Sequence, residues 1–236
     1  MKAQELALVQ GMADTRAALR RWNERPEAVL LPWLRLSALI TACLLGAVAA
    51  FAAYATPDEG TLLLLPGVNA AADGGDFVHV LIRNALVLAL HGFACVAGFM
   101  AGSSLPQVAA GYTGIRRTIH DRAGPLAIGF VIAATAFSLF TQAFILGATA
   151  ADIAAQLNTS PYLLLLGLMP HAVPELCALF LPLAAWTIAS RRGEWNELLA
   201  ATFVTVGLAV PVLLASGAVE VWLSPRLVLS LTGAAP

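Results

Sequence analysis

The stretch "PHAVPELCALF", Pro170 to Phe180, sets a histidine and a glutamate one helical turn apart inside an apolar run, with a proline ahead of each. An ionised carboxylate is costly in hydrocarbon, roughly 2.5–3.5 kcal/mol at a helix centre on insertion scales, so Glu175 needs a justification if this run crosses a membrane. The run extends over about 163–190, and a crossing of a core about 30 Å thick takes about 20 residues. Four further apolar runs, near 34–55, 81–103, 125–149 and 198–222, have the same character. Of 236 residues 59% are hydrophobic and 11% charged, with a mean hydropathy of +0.81, where soluble domains carry about 25% charged residues. The chain therefore reads as an all-α, polytopic membrane protein, a bundle of five transmembrane helices.

The domain pattern follows. Residues 1–33 form an N-terminal segment with helical spacing of apolar and charged positions ("LALVQGMADTRAALRRW"), expected as an amphipathic helix near the membrane surface or free of it. Residues 34–222 hold the five spans, and 223–236 a short tail. Lys2, Arg16, Arg20, Arg21, Arg25 and Arg35 precede or open the first span; Arg116, Arg117 and Arg122 lie between spans two and three; Arg191 and Arg192 lie between four and five. Only Arg83 and Arg226 fall on the other side. This bias places the N-terminus in the cytoplasm and the C-terminus outside a cell membrane. "AAYA" in span one mimics a cleavage site, but the long cationic lead and apolar run favour a retained span. The external loop holds "TLLLLPG", too short to cross and read as an interfacial or re-entrant piece. The inner loop "PQVAAGYTGIRRTIHDRAGP" is long enough to receive a cytoplasmic partner.

A net charge of −1 without a basic stripe gives no support for nucleic-acid binding. Cys43, Cys95 and Cys177 match no metal or redox spacing and are expected to be buried reduced thiols.

Helical spacing gathers the polar residues. In span two, Asn84, Leu88, His91, Cys95, Gly98 and Gly102 share one small, polar face, with Gly98 and Gly102 forming a Gly-x-x-x-Gly pair suited to close helix approach. In span four, Gly167, His171, Glu175, Ala178 and Pro182 align likewise. Pro170 and Pro174 each remove a backbone donor, so a kink or break in the fourth helix is expected near His171. Glu220, near the outer end of span five, shares a depth with Arg83 and Asn84, which makes an Arg83–Glu220 or Asn84–Glu220 contact reasonable; Gln142 of span three falls in the same half. Asn84, His91, Gln142, Pro170, His171, Glu175 and Glu220 are thus candidates for a shared polar seam, with Glu175 either protonated or paired with His171. The His-Glu-x-x-His signature is absent, and "AGSSLP" and "LASGA" form no nucleophile turn, so an enzyme is not expected, nor a metal or cofactor. Two readings remain on residue chemistry: an interhelical hydrogen-bonded network, and a proton or ion path through His91, His171 and Glu175 in a transporter or channel component.

"LMPHAVPELCALFLPLAAW" resembles the signature of the stage II sporulation protein M family, in which Pro-His-Gly-x-x-Glu opens an apolar run. "LIRNALVLALHGFACVAGFMAG" resembles the family's Asn-Asn span, with Asn84 at the second asparagine, and "LLASGAVEVWLSP" its closing Glu…Ser-Pro segment. The resemblance covers about residues 35–225. Ala172 stands in place of the glycine, Arg83 in place of the first asparagine, and "FTQAFILG" where Asn-Gly is usual. What the resemblance implies is a non-enzymatic, five-helix scaffold of a cell-envelope complex in the bacterial inner membrane. Its partners would be membrane lipid and other envelope proteins, such as peptidoglycan-remodelling proteins or a cytoplasmic AAA-type ATPase. The small-residue faces would also suit a homo-oligomer.

Overall fold

The computed structural model describes residues 7–58, 63–104 and 113–233. Helix α1 covers Ala7–Glu24, α2 Pro26–Tyr54 and α3 Gly74–Phe99, the last continued by a π-helical turn over Met100–Ser104. Then follow α4 (Gly114–Gln156), α5 (Pro161–Arg192), a 3₁₀ turn (Trp195–Glu197), α6 (Leu198–Ala218), a second π turn (Val219–Leu223) and α7 (Ser224–Thr232). The described residues contain no strand, only an isolated bridge between Pro66 and Ala70.

Among the described residues five helical stretches are long and apolar enough to cross a membrane: Pro26–Tyr54, Gly74–Ser103, Ile128–Gln156, Pro161–Arg192 and Trp195–Thr232. The protein is a multi-pass, all-α membrane protein. Each helix outruns the apolar stretch that announces it, because backbone hydrogen bonding continues into polar flanks once a turn is nucleated. The inner connection is accordingly helical from Gly114 onward, its residues 105–112 lying outside the described ones, and the segment after Leu223 is helix α7, closed by Gly233 at φ 68°. Residues 59–62 also lie outside, but from Leu63 the "TLLLLPG" piece is a turn, not a helix. Asn69 Oδ1 accepts from Leu65 N at 2.6 Å and Asn69 Nδ2 donates to the Leu63 carbonyl at 2.9 Å.

The fourth span runs as one continuous helix through Pro170, Pro174 and Pro182, with no break at His171. Each proline deletes one donor, but the deletions fall four and eight residues apart, so intact bonds flank every gap. Tight turns bound this helix. Asn158 (φ 49°) takes the left-handed conformation after α4, with Thr159 N donating to the Ala154 carbonyl at 2.8 Å, and Pro161 occupies the first helical position, where its missing N–H is harmless. Gly193 (φ 72°) ends α5 in the same manner.

The chain forms two compact units. The first comprises Met1–Ser37, Val87–Thr135 and Leu179–Ala209; the second Ala38–Leu86, Ala136–Ala178 and Val210–Pro236.

In the first unit the core is Trp33, Leu181, Ala185 and Ala201, with Trp22, Val29, Leu30, Ile188 and Val204 packed around it. Trp22 meets Trp33 edge to face at 5.3 Å. Helix α1 docks on this unit: Ala18 is fully buried, a side chain at Gly11 would meet Phe99 and Leu199, and Arg21 pairs with Glu197 at 2.6 Å. Gly98 lies against Trp186 and Leu198, and Gly102 against the Trp195 ring, so both glycines admit an indole where a methyl group would collide.

In the second unit Phe51 stands edge to face with Phe140 and Phe144. Gly147 of α4 touches α2 itself, a Cβ there falling on Phe51 Cβ, 2.9 Å from the Val48 carbonyl oxygen and 3.1 Å from Ala52 N. Ala143, Ala150, Ala151 and Ala154 are buried beside it. Gly167 makes a similar approach to Val228 of α7, 3.2 Å from its Cα.

Candidate functional site

Six polar residues of the second unit, Arg83, Asn84, His171, Glu175, Glu220 and Ser224, collect into one largely buried cluster. Helix α3 supplies Arg83 and Asn84. The face read from the sequence is the inward one, since Asn84 is 3% exposed while its neighbours Arg83 and Ala85 are exposed. Helix α5 supplies His171 and Glu175, four residues apart and so on one face. Both are buried, at 8% exposure each. The end of the fifth span supplies Glu220, inside the π turn, and Ser224, the first residue of α7. A π turn carries more residues per turn than an α-helix and so re-aims the side chains within it; such turns recur at functional sites. Here Ser216, Glu220 and Ser224, at successive steps of four, all place polar atoms in the interior.

His171 Nδ1 and Ser224 Oγ are hydrogen-bonded at 2.6 Å, joining residues 53 apart in sequence. Arg83 Nη2 donates to Glu220 Oε1 at 3.1 Å. The Glu175 carboxyl group faces the side chains of both Asn84 and Glu220 and feels the charge of Arg83. Yet Glu175 Oε2, Glu220 Oε2 and Asn84 Nδ2 are all buried without a hydrogen-bond partner of good geometry. Two acids thus meet one arginine at the edge of the interior, and three buried polar atoms there are left over. Native interiors leave few such atoms, and those that persist call for an explanation.

No family model, no characterised protein and no solved structure matches the chain. The site therefore has to be read from its own chemistry.

The other residues singled out from the sequence lie elsewhere. His91 belongs to the first unit, where Nδ1 lies 2.9 Å from the Leu179 carbonyl and the ring packs on Phe180. A carbonyl can only accept, so Nδ1 carries the proton in that bond. Cys95, fully buried, donates to the Pro182 carbonyl at 3.2 Å in the same unit. Gln142 does not join the cluster: its Nε2 donates to Ser138 Oγ at 3.1 Å, one turn back on its own helix. Pro170 is exposed on the outside of α5. No disulfide joins the cysteines, and of the three only Cys95 is buried: Cys177 is half-buried, and Cys43 is exposed because its position on α2 falls on the outward face.

Ser224, part of the closing Ser-Pro pair, was not singled out from the sequence as a site residue. Next to Pro225 it looks like an ordinary helix start, and only a partner 53 residues away gives its hydroxyl a role. Its place four residues after Glu220 was the available signal.

Proposed function

We propose that this protein is a non-enzymatic scaffold of a cell-envelope complex, of the stage II sporulation protein M type, set in the cytoplasmic membrane with its N-terminus inside. One observation carries the reading. The three separate stretches that bear the resemblance, around Asn84, around His171 and Glu175, and around Glu220 and Ser224, bring those residues to one buried cluster. Motif residues that converge on hydrogen bonds and an ion pair between helices suit a role in shaping the protein for its partners. The expected partners are peptidoglycan-remodelling proteins or a cytoplasmic AAA-type ATPase, with α1 and the inner connection on the side where an ATPase would bind.

Affinity purification from native membranes in mild detergent, after brief cross-linking, tests the proposal. A cell-wall hydrolase or an ATPase recovered in near-stoichiometric amount is the expected result; a protein that elutes alone would count against it. The unpartnered carboxyl oxygens favour one second reading, a transporter-like component that moves protons or ions past Glu175. Proteoliposomes carrying a pH-sensitive dye separate the two: a scaffold shows no flux, whereas a flux abolished by Glu175→Gln would establish the second.

A further inference from the structure

The scaffold reading leaves the three unsatisfied atoms of the cluster unexplained. The side chain of Glu175 interacts with that of Glu220, and an ionised carboxylate only accepts hydrogen bonds, so neither acid can satisfy the other while both are charged. Oε2 of each acid is buried and without a partner. Arg83 reaches Glu220 Oε1 and contributes a single positive charge to the two acids, which leaves one negative charge uncompensated. Like-charged carboxyl groups at this range do not both ionise readily. The other titratable group facing the cluster is His171, whose Nδ1 is engaged by Ser224. Among the described residues no set of three His, Cys, Asp or Glu side chains could hold a metal ion.

We infer that Glu175 and Glu220 hold one proton between them, making the pair a proton-binding site within the membrane-spanning part of the protein. The proton supplies the missing donor, an O–H from one acid to the other, and the missing positive charge, so that the pair together with Arg83 is neutral. Such O–H···O⁻ bonds are the short, strong kind. Asn84 Nδ2 stands ready to donate to Glu175 when the proton resides on Glu220. Exchange with solvent runs through Glu220, whose side chain is 23% exposed, while Glu175 is the enclosed end. This holds whether or not the protein conducts, and so reaches beyond both functional readings.

Infrared spectroscopy of the full-length protein in lipid nanodiscs near neutral pH tests it, reading the carbonyl stretch of protonated carboxyl groups in H₂O and D₂O. The wild type should show one such band, shifted in D₂O. Glu175→Gln and Glu220→Gln should each remove it, because the remaining acid then accepts from the new amide and stays ionised beside Arg83. Asp73→Asn, in the outer loop, should leave it unchanged. Absence of the band from the wild type, its survival in both glutamine variants, or a protonated-imidazole signature removed by His171→Gln would each overturn the inference. The wild-type spectrum alone suffices should either variant fail to fold.

Discussion

Trp33→Ala should lower the unfolding free energy by about 3–5 kcal/mol, the range for deleting a large buried aromatic side chain. Trp33 is 5% exposed and central to the first unit's core, in contact with Leu181, Ala185 and Ala201 and edge to face with Trp22. Trp33 already lines a cavity of ≈ 250 Å³ with Trp22, Val29, Ile188 and Glu197, so its side chain borders empty space as well as the core. Truncation would merge the two volumes. It would also remove the aromatic pair, itself contributing about 0.5–1.5 kcal/mol. Thermal or denaturant unfolding in detergent reads the loss, and limited proteolysis should show α1 cut faster, since Trp22 is its contact with Trp33. An unchanged midpoint would mean that α1 and α2 do not pack as described.

The second large effect concerns a residue with no polar chemistry. Gly147→Leu should destabilise by about 3 kcal/mol, the upper part of the usual overpacking range, and Gly147→Ala by about 1 kcal/mol or more. The first atoms that any side chain meets here include the Val48 carbonyl oxygen and Ala52 N, which belong to the backbone of α2 and cannot rotate away. Helices α2 and α4 would have to separate, pulling Phe51 from Phe140 and Phe144. Gly46, whose added Cβ would meet nothing within 4 Å, provides the control: Gly46→Ala should leave stability unchanged or raise it slightly. Equal midpoints for Gly46→Ala and Gly147→Leu would refute the close approach.

Gly147 also shows where the sequence ran out. Gly98, Gly102 and Gly167 stand out because each shares a helix face with polar residues, and all three lie against bulky neighbours in the fold. Gly147 sits among alanines in "LGATAADIAA", where one small residue looks like the next, and only the path of α2 makes it special. Span number and helical class were legible because hydrophobic length is a strong signal. Helix ends were not, since apolarity stops before hydrogen bonding does.

The polar cluster was legible in part, for a related reason. Periodicity puts Asn84 on the buried face of α3 and Glu175 with His171 on that of α5, and a matched depth brings Arg83 to Glu220. Periodicity is blind to competition from nearby partners. Gln142 has the right depth, but Ser138 lies within its reach on the same helix, and the local bond takes its amide. His91 shares a face with Asn84, yet a carbonyl of α5 in the first unit engages its ring. Arg83, which stands where the sporulation family that the sequence resembles has its first asparagine, supplies the positive charge beside Glu220. A neutral asparagine there would leave that acid unpaired.

The account rests on hydrophilic side chains from distant parts of the chain meeting in one cluster, with His171, Glu175, Asn84 and Ser224 buried at its heart. A double-mutant cycle across His171→Ala and Ser224→Ala, read by unfolding in lipid bicelles, measures that meeting directly. A coupling of about 1 kcal/mol is predicted, as for a good interhelical hydrogen bond in a membrane protein. Additivity of the two substitutions within about 0.3 kcal/mol would show that these residues do not touch, and would contradict the cluster.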